Sequence, residues 1–220
     1  MDMYVTLVSF FQDGGAFMYP IAAVMTVGLA IAMERWFYLL HQTRINRRDF
    51  QRILPLLREQ RGRELTDFVG KSSSAMSRIV ADGLARRSGS RRRSDIEYAM
   101  EEGLLEVLPR IERRTAYLAT FANIATLLGL LGTIIGLIAA FTAVANADPA
   151  EKASLLSQSI SIAMNTTAFG LIVAIPLLLV HSVLQSKTSQ IVESLEIAMV
   201  KFLNLMDLHD QPTPETAAAR

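Results

Sequence analysis

The chain has 220 residues, 51% of them hydrophobic, and its 22 Lys+Arg nearly cancel its 21 Asp+Glu to leave a net charge of +1. With no cysteine and three histidines, disulfide frameworks, thiolate metal sites and cysteine nucleophiles are excluded, and a zinc or triad enzyme is disfavoured. Mean hydropathy is +0.30 although 20% of the residues are charged. The two populations are segregated into blocks along the chain, which rules against a soluble enzyme.

Three runs lack Asp, Glu, Lys and Arg: 20 residues from Gly14 to Met33, 33 from Thr115 to Ala147, and 34 from Ala153 to Ser186. About 20 apolar residues of helix cross the ~30 Å hydrocarbon core of a bilayer, so three spans are predicted, the last two long enough to continue beyond it. The opening MDMYVTLVSFFQDGG carries Asp2 and Asp13 and no basic residue. It lacks the basic n-region and cleavage site of a signal peptide, so the first run is expected to be a retained anchor. Between Arg44 and Arg114 lie 17 Lys+Arg and 11 Asp+Glu, whereas the short link after Ala147 holds Asp148, Glu151 and one Lys152. The positive-inside rule then sets the N-terminus outside and the C-terminus inside.

In chain order this predicts a periplasmic segment over 1–13, a transmembrane helix over 14–40, a cytoplasmic helical domain over 41–114 and a second span over 115–146. A periplasmic turn over 147–153, a third span over 154–186, a cytoplasmic helix over 187–208 and a disordered tail over 209–220 complete it. The fold class is an all-α integral membrane protein with long cytoplasmic helical extensions. Within 41–114, Phe50, Ile53, Leu54 and Leu57 recur at amphipathic spacing, interrupted by Pro55. A helix follows from about Glu64 to Arg87, broken near Gly70 and the serines at 72–74, and SGSRRRS at 88–94 reads as a loop. Ser94-Asp95-Ile96-Glu97 matches a capping box. From there a single rod of about 75 Å is expected to reach Asn146, with no stop stronger than Pro109. The arginine clusters at 86–87 and 91–93 are read as topogenic charges and phospholipid contacts. The block's small net charge and its lack of interleaved aromatics argue for no nucleic acid.

The polar residues inside the spans are the candidates for function. Gly129, Gly132 and Gly136 offer a small-residue face, with Gly132 and Gly136 as a G-x-x-x-G pair that admits a close helix neighbour. In the third span Ser154, Ser157, Gln158, Ser161 and Asn165 fall within an arc of about 100°, a stripe suited to a neighbouring subunit or a hydrated path; Gly170 and Pro176 follow. No charged residue lies in the second or third run. A proton carried through these spans normally needs an intramembrane carboxylate or histidine. His181, past Pro176 towards the cytoplasmic end, is the one candidate and is read as structural or interfacial, so another chain is expected to supply the carboxylate.

The runs LLGLLGTIIGLIAAF (127–141) and NTTAFGLIVAIPLLL (165–179), with Glu34-Arg35 in MERWFYLL, resemble the ExbB/TolQ/MotA proton-channel family, and its ExbB/TolQ branch more than the four-span flagellar one. The resemblance covers nearly the whole chain. It implies a homopentamer around a central pore in the bacterial inner membrane, lined by the second and third spans and enclosing an ExbD/TolR-like single-span dimer. An Asp on that partner takes up H⁺ moving down its gradient, and the motion reaches a TonB- or TolA-like protein; no cofactor is implied. The family's pore threonines correspond to Thr133 and Thr167. Where the branch commonly carries a Glu five residues before the third-span threonine, this chain has Ile162, which leaves open a divergent branch. Asn165 and Ser161 are then expected to solvate the proton path without carrying charge. Gly129, Gly132, Gly136, Gly170 and Pro176 are assigned to helix packing. Two other readings stay open: a membrane scaffold that recruits proteins without ion flow, and a self-contained ion channel.

Overall fold

The computed structural model describes residues 14–90 and 92–210, the last three by their backbone alone. The expected periplasmic segment 1–13 and residues 211–220 of the expected tail lie outside the described residues. Six α-helices occur among those described: α1 (Met18–Arg58), α2 (Gly62–Lys71), α3 (Ala75–Gly89), α4 (Arg93–Glu112), α5 (Thr115–Ala145) and α6 (Lys152–Asp210). Three stretches of helix, in α1, α5 and α6, are long and apolar enough to cross a membrane. The chain divides into two compact units, one of Met1–Arg35 with Arg114–Leu184 and one of Trp36–Arg113 with Gln185–Arg220.

The first unit is built from the apolar parts of α1, α5 and α6. Its interior is lined by small and medium side chains, among them Ile21, Leu118, Ala122, Ala125, Ala163, Val173, Ala174 and Leu177. Gly28 of α1 lies under Leu177 of α6, where a methyl group would come within 2.9 Å of both leucine methyls. At the charged end, Arg114 binds both carboxylate oxygens of Glu34 at 2.7 Å. Leu127, Ile134, Ile138, Phe141, Met164, Ile172 and Leu179 are each more than half exposed in the single chain. So much apolar surface requires lipid or further protein around it.

The second unit is a helical bundle with a conventional core that includes Ile53, Leu65, Met76, Ile79, Met100, Leu195 and Phe202. A buried polar network joins α1 to the link before α3. The buried Asp49 accepts from Ser77 Oγ at 3.1 Å and also from the Ser72 hydroxyl. Asn46 Oδ1 accepts from the Met76 N–H at 3.3 Å, and Ser74 caps α3 by accepting from Ser77 N at 3.0 Å. The serines at 72–74 thus end one helix and start the next. Arg78 pairs with Glu106 at 2.8 Å across α3 and α4, and Arg93 ties α4 to Asp207 and, at 2.8 Å, to Asn204.

Three local readings of the sequence are corrected. Pro55 does not interrupt its helix: α1 continues through it to Arg58. A proline so near a helix end removes a single interior hydrogen bond. Ser94 does not cap α4, which begins at Arg93 after Arg92 without a side-chain cap; the flanking serine that binds is Ser90, whose Oγ donates to Asp95 Oδ2 at 2.6 Å. The rod expected from Asp95 to Asn146 is two helices, because Arg114 adopts a left-handed conformation, φ 66°, between α4 and α5.

Candidate functional site

Within the first unit, α5 and α6 approach at backbone distance because both present small residues at three- and four-residue spacing. A methyl group on Gly129 would lie 3.2 Å from Thr167 Cα and 3.4 Å from Gly170 Cα. One on Gly170 would lie 2.7 Å from the Ala125 carbonyl oxygen and 3.1 Å from Gly129 Cα. One on Gly136 would lie 3.0 Å from Ala163 Cβ. The glycine row on α5 is answered on α6 by Ala163, Thr166, Thr167 and Gly170.

This approach brings Thr133 and Thr167 together. Their hydroxyls are hydrogen-bonded to each other, and Thr167 Oγ1 reaches the Gly129 carbonyl at 2.9 Å. Thr133 Oγ1 lies 3.2 Å from the same carbonyl and 3.4 Å from that of Ala163. Thr126 and Thr142, by contrast, bond only the carbonyls four residues back, at 3.1 and 2.9 Å, the ordinary behaviour of an isolated helix hydroxyl.

Each hydroxyl has one hydrogen, so the pair has two arrangements. Thr133 donates to Thr167, which donates to Gly129; or Thr167 donates to Thr133, which donates to Gly129 or Ala163. Both arrangements use every hydroxyl hydrogen while leaving lone pairs on the oxygens. As it stands the pair can accept from a neutral carboxylic acid. To donate to a carboxylate, one threonine must first turn its hydrogen away from the backbone.

The residues beside the pair serve another face. Thr166, 2% exposed, bonds the Gly14 carbonyl at 2.6 Å and that of Ile162 at 2.9 Å. Its methyl lies against Gly132, where an added methyl would also meet Phe17 Cβ at 3.3 Å. Gly15 takes a positive φ of 74°, and a methyl there would come within 3.1 Å of Ile162 Cγ2. Ile162 therefore packs over the turn that leads into α1, an apolar setting for the position at which the family resemblance raised a Glu. Neither Thr166 nor this turn was singled out from the sequence, although Ala163, Thr166 and Gly170 keep the spacing of the glycines opposite.

The other proposed pathway residues are not at the pair. Ser161 is exposed and Asn165 half-buried, and Ser154, Ser157 and Gln158 of the same stripe are exposed. Asn165 and Thr167 are two residues apart, hence about 160° apart around α6. Pro176 lies exposed, nine residues along α6 from Thr167.

Residues 71–197 match the model of the MotA/TolQ/ExbB proton channel family. A putative biopolymer transport protein ExbB homolog of Methanothermobacter thermautotrophicus is 31% identical over 202 residues, 90% of this chain and 69% of that protein. The putative biopolymer transport protein ExbB-like 3 of Synechocystis is 29% identical over 175 residues, 79% and 82% of the two chains. The Tol-Pal system protein TolQ of Haemophilus influenzae is 31% identical over 93 residues, 42% and 40% of the two.

Proposed function

The chain belongs to the MotA/TolQ/ExbB proton channel family, and from that membership we propose that it is the stator subunit of an inner-membrane motor driven by the proton-motive force. Its three apolar helices and its family put it in the bacterial inner membrane, in a channel or stator role rather than an enzymatic one. In this reading five copies surround the transmembrane helices of an ExbD/TolR-like dimer. An Asp of that partner carries the H⁺, and a TonB- or TolA-like protein receives the work.

The observation that carries the reading is the hydroxyl pair of Thr133 and Thr167 over the Gly129 carbonyl. A partner Asp that arrives protonated donates to the pair as it stands. One that has lost its proton needs a threonine hydrogen turned towards it. By turning one hydroxyl hydrogen between a backbone carbonyl and the partner, the pair answers both protonation states without moving a charge of its own. One charge crossing 100 mV releases about 2.3 kcal/mol, enough to bias a choice between near-equivalent orientations but not to break a large interface repeatedly. Asn165 and Ser161, on other faces of α6, would solvate an entrance or a subunit contact, and Pro176 would leave the Ile172 carbonyl without its helical donor.

The absence of any charged residue from Thr115 to Ala147 and from Ala153 to Ser186 also fits a scaffold that recruits proteins without ion flow. Native mass spectrometry of the chain, alone and co-expressed with a single-span, Asp-bearing partner, separates the two. A pentamer that gains two partner chains supports the stator. Proton uptake into vesicles should then fall about tenfold or more in Thr133→Val and in Thr167→Val, as expected for loss of a hydrogen bond to a charged group, with the assembly intact. Wild-type uptake in both variants would overturn the assignment, and a chain that ignores the partner would favour the scaffold.

A further inference from the structure

Within the second unit, two helices carry opposite charge over similar lengths. From Arg44 to Arg58, α1 has five arginines, and its one acid, Asp49, is buried. From Ser94 to Leu108, α4 has five carboxylates and no basic residue. Arg44, Arg48 and Arg52 fall within an arc of about 80° around α1, and Tyr98, Glu101, Glu102 and Leu105 within about 100° around α4. Tyr98 and Leu105 are 68% and 65% exposed, which puts an apolar centre in the acidic face. Beside it a groove of about 570 Å³ lies between α3 and α4, where Asp82, Asp95, Tyr98, Glu102 and Glu106 are joined by a single basic residue, Arg86.

Neither stripe is neutralised within the chain. Arg44, Arg47 and Arg48 are exposed, and no carboxylate among the described residues pairs with them. Arg52 rests on the Phe68 ring, 5.8 Å from its centroid. Glu101 and Glu102 are exposed and likewise have no basic partner among the described residues, whereas Glu106 is held by Arg78. The stripes also stand at one level. Tyr38 and Gln42 of α1 line a small cavity with Val107, Arg110 and Ile111 of α4. At the other end of the unit Leu57 of α1 and Met206 of α6 line another, and Arg93 of α4 pairs with Asp207. The two helices therefore run antiparallel along the same length of the unit. At ~1.5 Å per residue, Arg44 to Arg52 lie about 3–15 Å beyond Gln42, and Glu106 to Glu101 about 6–14 Å beyond Arg110.

We propose that the arginine stripe of α1 in one copy of the chain docks on the acidic face of α4 in the next copy. The contact rests on the assembly of several copies proposed above. Copies inserted in one membrane in one orientation hold both stripes at one height, so the two patches meet in register. Because the patches differ, each copy offers one to each neighbour, the head-to-tail arrangement that closes a ring. A single exposed ion pair is worth little. Repeated pairs flanking Tyr98 and Leu105, with a guanidinium over the Tyr98 ring, give the contact its strength and its register. Anionic lipid is the less suited occupant. Arg48 and Arg52 lie fifteen and nineteen residues beyond Met33, about 22–29 Å along α1 from the end of the charge-free run and past the depth of one headgroup layer.

The chain has no cysteine, so the test uses two differently tagged forms of the full-length protein expressed together in membranes. Gln51→Cys in one and Leu105→Cys in the other, both at exposed positions, should be joined by a short bismaleimide into a dimer carrying both tags. Neither form alone should be joined to itself. Arg44→Glu with Arg48→Glu in the first form should cut that product about tenfold or more, as should Glu101→Arg with Glu102→Arg in the second, because like charges then face each other. The two reversed forms together should restore it to within about twofold, which misfolding of either could not do. In a pentamer that native mass spectrometry shows to be intact, a cross-link that is absent, or unchanged by either reversal, would overturn the proposal and leave the stator reading standing. A monomeric chain would overturn both. Loss of bound phosphatidylglycerol from the Arg44→Gln, Arg48→Gln variant, with no cross-link in the parent pair, would overturn the proposal in favour of lipid headgroups.

Discussion

A threonine hydroxyl has one hydrogen to give, and at Thr133 and Thr167 both are already engaged, one between the side chains and one on a backbone carbonyl. Serine keeps that donor and loses only the methyl, so Thr133→Ser should retain proton uptake to within about twofold, where valine does not; equal loss in both would mean that shape rather than the hydroxyl matters. Thr133 and Thr167 were legible because each stands in a distinctive run, GLLGTI and TTAFGL. The Gly129 carbonyl that they share was not, since a backbone acceptor leaves no mark on the sequence. Outside the spans, Asp82 makes a residue-scale case of its own. Burial raises its carboxyl above the ordinary value, Glu106 and Glu102 adding to the rise and Arg78 opposing it. The folded chain therefore keeps this proton to higher pH than the unfolded one, and stability is lost as pH rises through the range above the ordinary carboxylate value. Asp82→Asn should raise the melting temperature at pH 7 by about 1–2 °C, a small gain because the group is partly solvated. The gain should vanish near pH 3, where the carboxyl is protonated in both states; an equal shift at both pH values would refute the argument.

At the scale of elements, helix ends and helix contacts obey different rules and were legible to different degrees. The long charge-free runs foretold α5 and α6, because length and apolarity survive any local detail. Helix ends depended on which of several serines made the cap, and at α4 the S-x-x-E pattern pointed to Ser94 where Ser90 binds Asp95. The end of α1 had no glycine to announce it. Gln60 takes φ 56°, with Gln60 N bonded to the Leu57 carbonyl at 3.2 Å and Arg61 N to that of Leu56 at 3.0 Å, the paired bonds of a Schellman stop. Gln60→Gly should therefore stabilise the second unit by up to about 1 kcal/mol, read as a higher melting temperature. Ser74→Ala should cost about 1 kcal/mol through the loss of the α3 cap. Between α5 and α6 the obstacle decides the outcome. A methyl on Gly170 meets a carbonyl oxygen and a Cα on the facing helix, whereas one on Gly136 meets first the Ala163 methyl. Gly170→Ala should lower the melting temperature in detergent more than Gly136→Ala does; the reverse order would show that the helices are free to separate at the threonine pair.

For the whole molecule, the three apolar stretches require a membrane, but which end faces which side rests on charge alone. The link between α5 and α6 offers Asp148, Glu151 and Lys152, while the block from Arg44 to Arg114 holds 17 basic residues. Retaining that block on the cytoplasmic side is the outcome that topogenic charge favours. The chain has no cysteine, so any single cysteine reports without a background. Gly89 has open space around it and Asp148 is exposed, so neither substitution disturbs a packed position. A membrane-impermeant maleimide added to intact spheroplasts should label Asp148→Cys and leave Gly89→Cys untouched until the membrane is opened. The opposite pattern would invert the topology, and with it the direction of inward proton flow relative to Thr133 and Thr167. Labelling of both from outside would mean that the charged block crosses the membrane, which the proposed stator does not allow. A protected Gly89→Cys beside a labelled Asp148→Cys would leave α5 and α6 as an antiparallel pair that reaches the outer surface at one end and joins the charged block at the other. That is the orientation in which a partner carboxylate can load from outside, meet the threonine hydroxyls, and release its proton inward.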